Sequence, residues 1–318
     1  MIAFFANIFG FILEFIYKIV NNFGVAIILF SILIKLLMLP ISIKQQKTMK
    51  KTSKILEKMK EIQFKYKNNP EKLNQETMEL YKKENMSPFS GCFSAIAQLI
   101  LLFAVFYMVR SPLTYMKKVD AEVIEKYSKI IYEYDLSEKS AYPEIEIIRE
   151  IDNIRNLKNN ANKEENAEQA EEQNEEAKTD LVEIKDEELE QLDINMDFFG
   201  LNLAQIPTKS SDWKSYIIPV LYVLISMLSM KITNSTSTPK PKEKETVENK
   251  DEKSLTKPED EFDPMAQMNK NMNLMMPILY VSVALIAPLG LALYWLMNSL
   301  LMIVEKLALN KLLKDEEE

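Results

Sequence analysis

Lys35 is the first residue whose chemistry stands out, because it lies inside the apolar run 23–43, FGVAIILFSILIKLLMLPISI. A charge in such a run costs about 2.5–3.5 kcal/mol on insertion scales, so it is kept for a function or because it snorkels. At about 1.5 Å of helix rise per residue, Lys35 lies about 12 Å from the lysine-rich end of the run. A lysine stem covers only part of that depth. Ser31, four residues earlier, falls on the same helical face, so one face of this segment is polar. In a second apolar run, 89–109, Gln98 lies at nearly the same depth. Two polar groups at matched depth can line one cavity, and an interhelical hydrogen bond to Gln98 is the competing structural account. Trp295 and Asn298, three apart in a later apolar run, add polar edges to one face. Trp295 fits a membrane belt equally well.

Met268, Met272, Met275 and Met276 recur at helical spacing near the start of the fourth apolar run. Methionine suits a surface that accepts varied apolar partners, and ordinary helix packing explains the same spacing.

Covalent chemistry finds little support. Histidine is absent and Cys92 is the one cysteine, so histidine-based metal sites, catalytic triads and an intrachain disulfide are excluded. The 5 glycines form no phosphate-cradling or dinucleotide loop, and no cofactor or metal is expected. The net charge of −8 argues against general nucleic-acid binding, and no nucleic-acid sequence preference is expected.

The elements that must position these groups follow in chain order. A mean hydropathy of −0.14 averages very different segments. Residues 1–22 read as an amphipathic interfacial helix, with Phe5, Phe9, Ile12 and Ile16 on one face. A separate span or a signal peptide is the alternative, but the signal peptide lacks a basic start and a small-residue cleavage site. Residues 23–43 form the first span. Residues 44–88 carry 12 lysines and 6 glutamates and read as a helical hairpin turning at Asn68-Asn69-Pro70. Its apolar stripe, Ile55, Leu56, Met59, Ile62 and Tyr66, suits either a solvated hairpin or a lever touching lipid headgroups, ribosome or substrate.

Residues 89–110 form the second span. Residues 111–213 are an acidic insertion, 26 acidic residues to 12 basic, expected to be partly disordered around the low-complexity stretch 158–180. Helical apolar spacing recurs at Val119, Val123, Tyr127, Ile130 and Ile131, and again at Ile147, Ile148, Ile151 and Ile154. INMDFFGLNLAQIP, 194–207, leads back to the membrane. The third span is 214–231, a polar disordered linker 232–268, the fourth and fifth spans 269–309, and a tail 310–318. The positive-inside rule puts the lysine-rich hairpin in the cytoplasm. The amino terminus and the acidic insertion then face outside, and the linker and carboxyl terminus face the cytoplasm. Arg110, on the outer side, runs against this scheme.

These segments resemble the YidC-type membrane protein insertase family. The resembling stretches are VAIILFSILIKLLMLPISIKQQKTMKK, the hairpin ending QETMELYKKENMSP, FSGCFSAIAQLILLFAVFYMV, FFGLNLAQIP and MMPILYVSVALIAPLGLALYWLMNSLLMIVEK. They occur in the family's order. The resemblance implies an all-α membrane protein with five transmembrane helices around a hydrophilic groove and a cytoplasmic helical hairpin. It implies a multi-pass protein of the bacterial plasma membrane that receives apolar segments of nascent membrane proteins and releases them into the lipid bilayer. The ribosome and the Sec translocon are the implied partners. It places Lys35, Ser31, Gln98 and Trp295 at groove-lining positions, with Lys35 where the family carries arginine. The acidic insertion has no counterpart expected from shorter members. Competing readings are a small-solute transporter using Lys35 and Gln98, and an assembly factor that binds membrane partners without inserting them. The transporter reading lacks the inverted repeat and broken-helix pair that often mark such folds.

Overall fold

The computed structural model describes residues 1–84, 90–165, 184–237 and 281–315. Its longest element, α2 (Phe23–Lys65), runs 43 residues. It passes through the expected boundary between the first span and the hairpin without a break, with Pro40 inside it. Proline removes one backbone donor and crowds the preceding turn. The helix continues because strong helix formers flank it, leucines before and lysines and glutamines after. At about 1.5 Å per residue α2 is about 65 Å long, twice a hydrocarbon core of about 30 Å. The first hairpin arm is therefore a stiff extension of the first span.

Both ends of α2 have identifiable signals. Helix α1 (Ile2–Val20) stops at Asn21, which takes a left-handed conformation at φ 48°. Asn22 then caps α2 by accepting a 3.0 Å hydrogen bond from the Val25 amide. At the far end, Asn69 accepts from the Lys72 amide and Pro70 opens α3 (Pro70–Lys83). The two arms are joined by the Tyr66 hydroxyl donating to Glu76 at 3.0 Å and by Lys58–Glu84 at 2.5 Å. Ile55 and Leu80 are buried, one on each arm.

Helix α4 (Ser90–Arg110) ends in a single wide turn, Leu113–Lys117. Helix α1 packs against α4, α2 and this turn. The insertion then folds as short helices: α5 (Ala121–Glu133), α6 (Pro143–Arg149), α7 (Ile151–Glu165) and α8 (Asp186–Leu192). The apolar positions at helical spacing become its core, with Tyr127, Ile130, Ile131, Ile147, Ile154 and Leu192 almost wholly enclosed. Charged pairs tie its rim, among them Lys126–Glu188 at 2.8 Å and Arg155–Asp193 at 2.5 Å. Arg110 is part of this packing. Its guanidinium donates twice to the Ala141 carbonyl, at 3.0 and 2.7 Å, and lies over the Tyr142 ring. The stretch 158–180 is described only as far as 165, where it continues α7.

Two short antiparallel strands follow, β1 (Asp197–Phe198) and β2 (Leu201–Asn202), linked by Phe199 and Gly200 at φ 52° and 76°. This segment closes one end of the bundle. The Phe23 amide donates to the Asn195 carbonyl at 3.0 Å, and the amides of Leu289 and Gly290 donate to Gln205 and Leu203 at 2.9 and 2.8 Å. First-turn amides of two helices, which have no partner within their own helix, are thus satisfied by one loop. Helix α9 (Ile217–Ser237) and helix α10 (Leu289–Asp315) pack along each other, and α10 also packs on α2.

Among the described residues, four helical stretches are long and apolar enough to cross a membrane: Ile2–Val20, Phe23–Thr48, Trp213–Ile232 and Leu289–Lys311. Leu99–Arg110 adds a shorter apolar stretch within α4. Of the fourth span, only 281–288 lies within the described residues, helical at 281–286.

Candidate functional site

Lys35 projects from α2 toward α10 and meets Glu305, Nζ to Oε2, at 2.5 Å. The side chains are 23% and 10% exposed, so this is a largely enclosed ion pair between two apolar helices. The second carboxylate oxygen, Oε1, is buried and has no hydrogen-bond partner among the described residues. Further along the same two helices, the Gln46 amide donates to the Asn310 side-chain oxygen at 3.0 Å. Residue numbers rise together in these two contacts, so α2 and α10 run in the same direction. Lys306 lies within electrostatic range of both Lys35 and Glu305.

The other expected groove residues fall on the same bundle with different surroundings. Ser31 is buried, and its hydroxyl donates to the Ile27 carbonyl one turn back at 2.7 Å. Its donor is therefore satisfied by its own helix. Trp295, on α10, stands beside Tyr222 of α9 with ring centroids 5.8 Å apart. Asn298 is half-buried and lies seven residues before Glu305, on the same face of α10. The α9–α10 seam carries a further polar pair, the Ser226 and Ser299 hydroxyls, buried and 3.2 Å apart. Gln98 belongs to α4, and its side chain lies outside the described residues, as do Met268, Met272, Met275 and Met276.

Glu305 is the residue that sequence reasoning missed. The signal was available, because it is a carboxylate inside the apolar run 290–309, the same anomaly that singled out Lys35. Glu305 lies about 6 Å from the end of its run and Lys35 about 12 Å from the end of its own, counted along each helix. An extended lysine stem spans that difference.

The 60Kd inner membrane protein family matches residues 15–317. The chain belongs to that family. The resemblance read from the motifs is borne out, and the chain is an all-α, multi-pass membrane protein of the 60Kd inner membrane protein family. It is similar to proteins named Membrane protein insertase YidC from several bacteria. One, from Caldanaerobacter subterraneus subsp. tengcongensis, is 44% identical over 102 residues, covering 32% of this chain and 50% of that protein. Another, from Fusobacterium nucleatum, is 44% identical over 94 residues, 30% of this chain and 46% of that protein. A third, from Chlorobaculum tepidum, is 47% identical over 94 residues, 30% of this chain and 16% of that protein. The matched region thus spans half or less of the length of these relatives.

Proposed function

We propose that this protein is a membrane protein insertase that takes apolar segments of nascent membrane proteins into a polar intramembrane groove and releases them into the lipid bilayer. The observation that carries the reading is the enclosed Lys35–Glu305 pair between two apolar helices of a multi-pass member of the 60Kd inner membrane protein family. Relatives at 44–47% identity bear the name of that activity. The driving force is partition of the arriving segment's apolar surface, about 25 cal/mol per Å². What opposes it is carrying the segment's polar flank across hydrocarbon. Fixed charges and hydroxyls part-way across shorten that path, and no bond need be made or broken.

In this reading the hairpin faces the cytoplasm, where it meets the ribosome, and the Sec translocon is a neighbour in the membrane. The unbroken α2 supports a lever role for the hairpin, because a force on its tip is transmitted along one helix to Lys35. The amino terminus lies outside and α1 rests in the outer interface. Its contacts with the α4–α5 connection and with the strand segment support that position: Lys118 to Asn7 at 2.5 Å, and the Asn195 amide to the Tyr17 hydroxyl at 2.8 Å.

The test is photocrosslinking from Asn298 and Gln98 to a nascent membrane protein on stalled ribosomes, beside insertion of a small substrate by the purified protein in liposomes. Crosslinks at both positions with unaided insertion are expected. Insertion failing in liposomes, with no crosslinks from either position, would transfer the protein to the assembly-factor or transporter class.

A further inference from the structure

Three features of the ion pair do not fit a simple helix clamp. First, α2 and α10 are already joined by Gln46–Asn310 and by apolar packing. A well-packed apolar pair in place of two enclosed charges often holds helices as well or better. Second, the Glu305 side chain is nine-tenths buried while its Oε1 has no hydrogen-bond partner among the described residues. A carboxylate with an unfilled buried acceptor is a poor structural element, because that oxygen's lost hydration is not replaced. Third, the Lys35 side chain keeps 23% of its surface exposed while paired, so this end of the pair is the more open one. An ammonium has three donors, and one carboxylate oxygen takes one of them.

We propose that Glu305 is a specificity-determining residue, an internal counter-ion that competes with carboxylates of the arriving segment for Lys35. This rests on the insertase reading above. With Glu305 in place, an acidic side chain must displace an existing carboxylate before it pairs with Lys35. A neutral polar side chain gains nothing from such an exchange. Glu305 therefore weakens the groove's attraction for acidic translocated segments and brings their insertion nearer to that of neutral ones. Lys306 keeps the local sum of charges positive while the pair is closed, so acidic segments are still drawn toward the site.

The experiment uses the purified full chain in liposomes with two single-span substrates. They differ only in an Asp or an Asn at one position of the short translocated segment. Glu305→Gln is expected to raise the Asp-to-Asn ratio of insertion rates about fivefold, the size expected for an arriving carboxylate that pairs with Lys35 while still partly in water. Glu305→Asp, which keeps the charge, is expected to leave the ratio near that of the unaltered protein. An unchanged ratio in a folded Glu305→Gln protein overturns the proposal. Equal loss for both substrates also overturns it, since that is the mark of a purely structural residue. Should Glu305→Gln fail to fold, the swap Lys35→Glu with Glu305→Lys retains the pair and carries the test. It is expected to move the preference from Asp toward a Lys-bearing segment, and a retained preference for Asp overturns the proposal. If the unaltered protein inserts neither substrate, the insertase reading itself fails and this inference falls with it.

Discussion

The carbonyl of Tyr115 lies directly against Gly10 of α1, where a Cβ would sit. The obstruction is backbone, the carbonyl of Tyr115 and the amide of Met116, so no rotamer change relieves it. On either side the wide turn is held to α1 by Lys118–Asn7 at 2.5 Å and by Lys117, 5.1 Å from the Tyr17 ring centroid. Gly10→Ala should push α1 away from the turn and weaken both contacts. The expected cost is about 1–3 kcal/mol, as for other overpacked contacts. Disulfide formation between cysteines placed at Asn7 and Lys118 reports the docking. A yield unaffected by Gly10→Ala would show that α1 does not depend on this close approach.

Asn22 joins two elements through one side chain. Its oxygen caps α2 at the Val25 amide, and its amide nitrogen donates to the Asp197 carbonyl of β1 at 2.5 Å. Asn22→Ala should cost about 1–2 kcal/mol, the usual range for a lost helix cap. Asn22→Asp should keep the cap and lose only the tie to β1. Thermal unfolding in detergent should therefore rank unaltered, Asp and Ala in decreasing order, and equal melting of the unaltered protein and the Asp variant would refute the second role.

The features visible in the sequence were those carried by local rules. The turn at Asn69-Pro70, the first-span start at Phe23 and the apolar periodicity between Val119 and Ile154 each rest on residues within a few positions of one another. The continuity of α2 was less visible, because Pro40 and the change from apolar to lysine-rich sequence both suggest a boundary. Neither ends a helix when good helix formers surround it. Arg110 looked misplaced under a charge rule that counts residues and ignores partners. Its partner is the Ala141 carbonyl, 31 residues on. A carboxylate in an apolar run marks Glu305 locally, but its pairing was not legible because Lys35 lies on a helix at the other end of the chain. The spacing sets Ser31 on the same helical face as Lys35, but its bond to its own helix was not legible from the spacing.

Lys35 and Glu305 allow stability and activity to be separated. Lys35→Met leaves Glu305 enclosed without its cation and should destabilise the protein by about 3–5 kcal/mol, the range for one broken partner of a buried pair. The double variant Lys35→Met with Glu305→Leu should recover most of that stability, since two apolar groups replace two charges. It should not recover insertion. Lys35→Arg should insert near the unaltered rate, while Lys35→Glu, which sets two carboxylates side by side, should impair insertion. Insertion restored in the apolar double variant would show that the proposed insertion needs no charge here, and equal activity of the Arg and Glu variants would show the same.

Glu144, in the insertion and outside the spans, gives a pH-dependent prediction. Its carboxylate accepts hydrogen bonds from the Thr114 amide at 3.0 Å and the Thr114 hydroxyl at 2.7 Å. Burial raises its pKa above the ordinary 4.5, and the bonds from Thr114 only partly offset that effect. The folded state therefore holds this proton more tightly than the unfolded one. Glu144's contribution to stability is full below 4.5 and is lost as pH rises through the raised folded value. Hydrogen exchange of segments 111–117 and 143–149, corrected for intrinsic rates, should show protection falling as pH rises from about 4 to about 8. Glu144→Gln should flatten that dependence. It should also cost about 1 kcal/mol throughout, because the amide group keeps one acceptor oxygen for two donors. Protection that rises with pH, or a slope retained in the Gln variant, would show that Glu144 does not set the dependence.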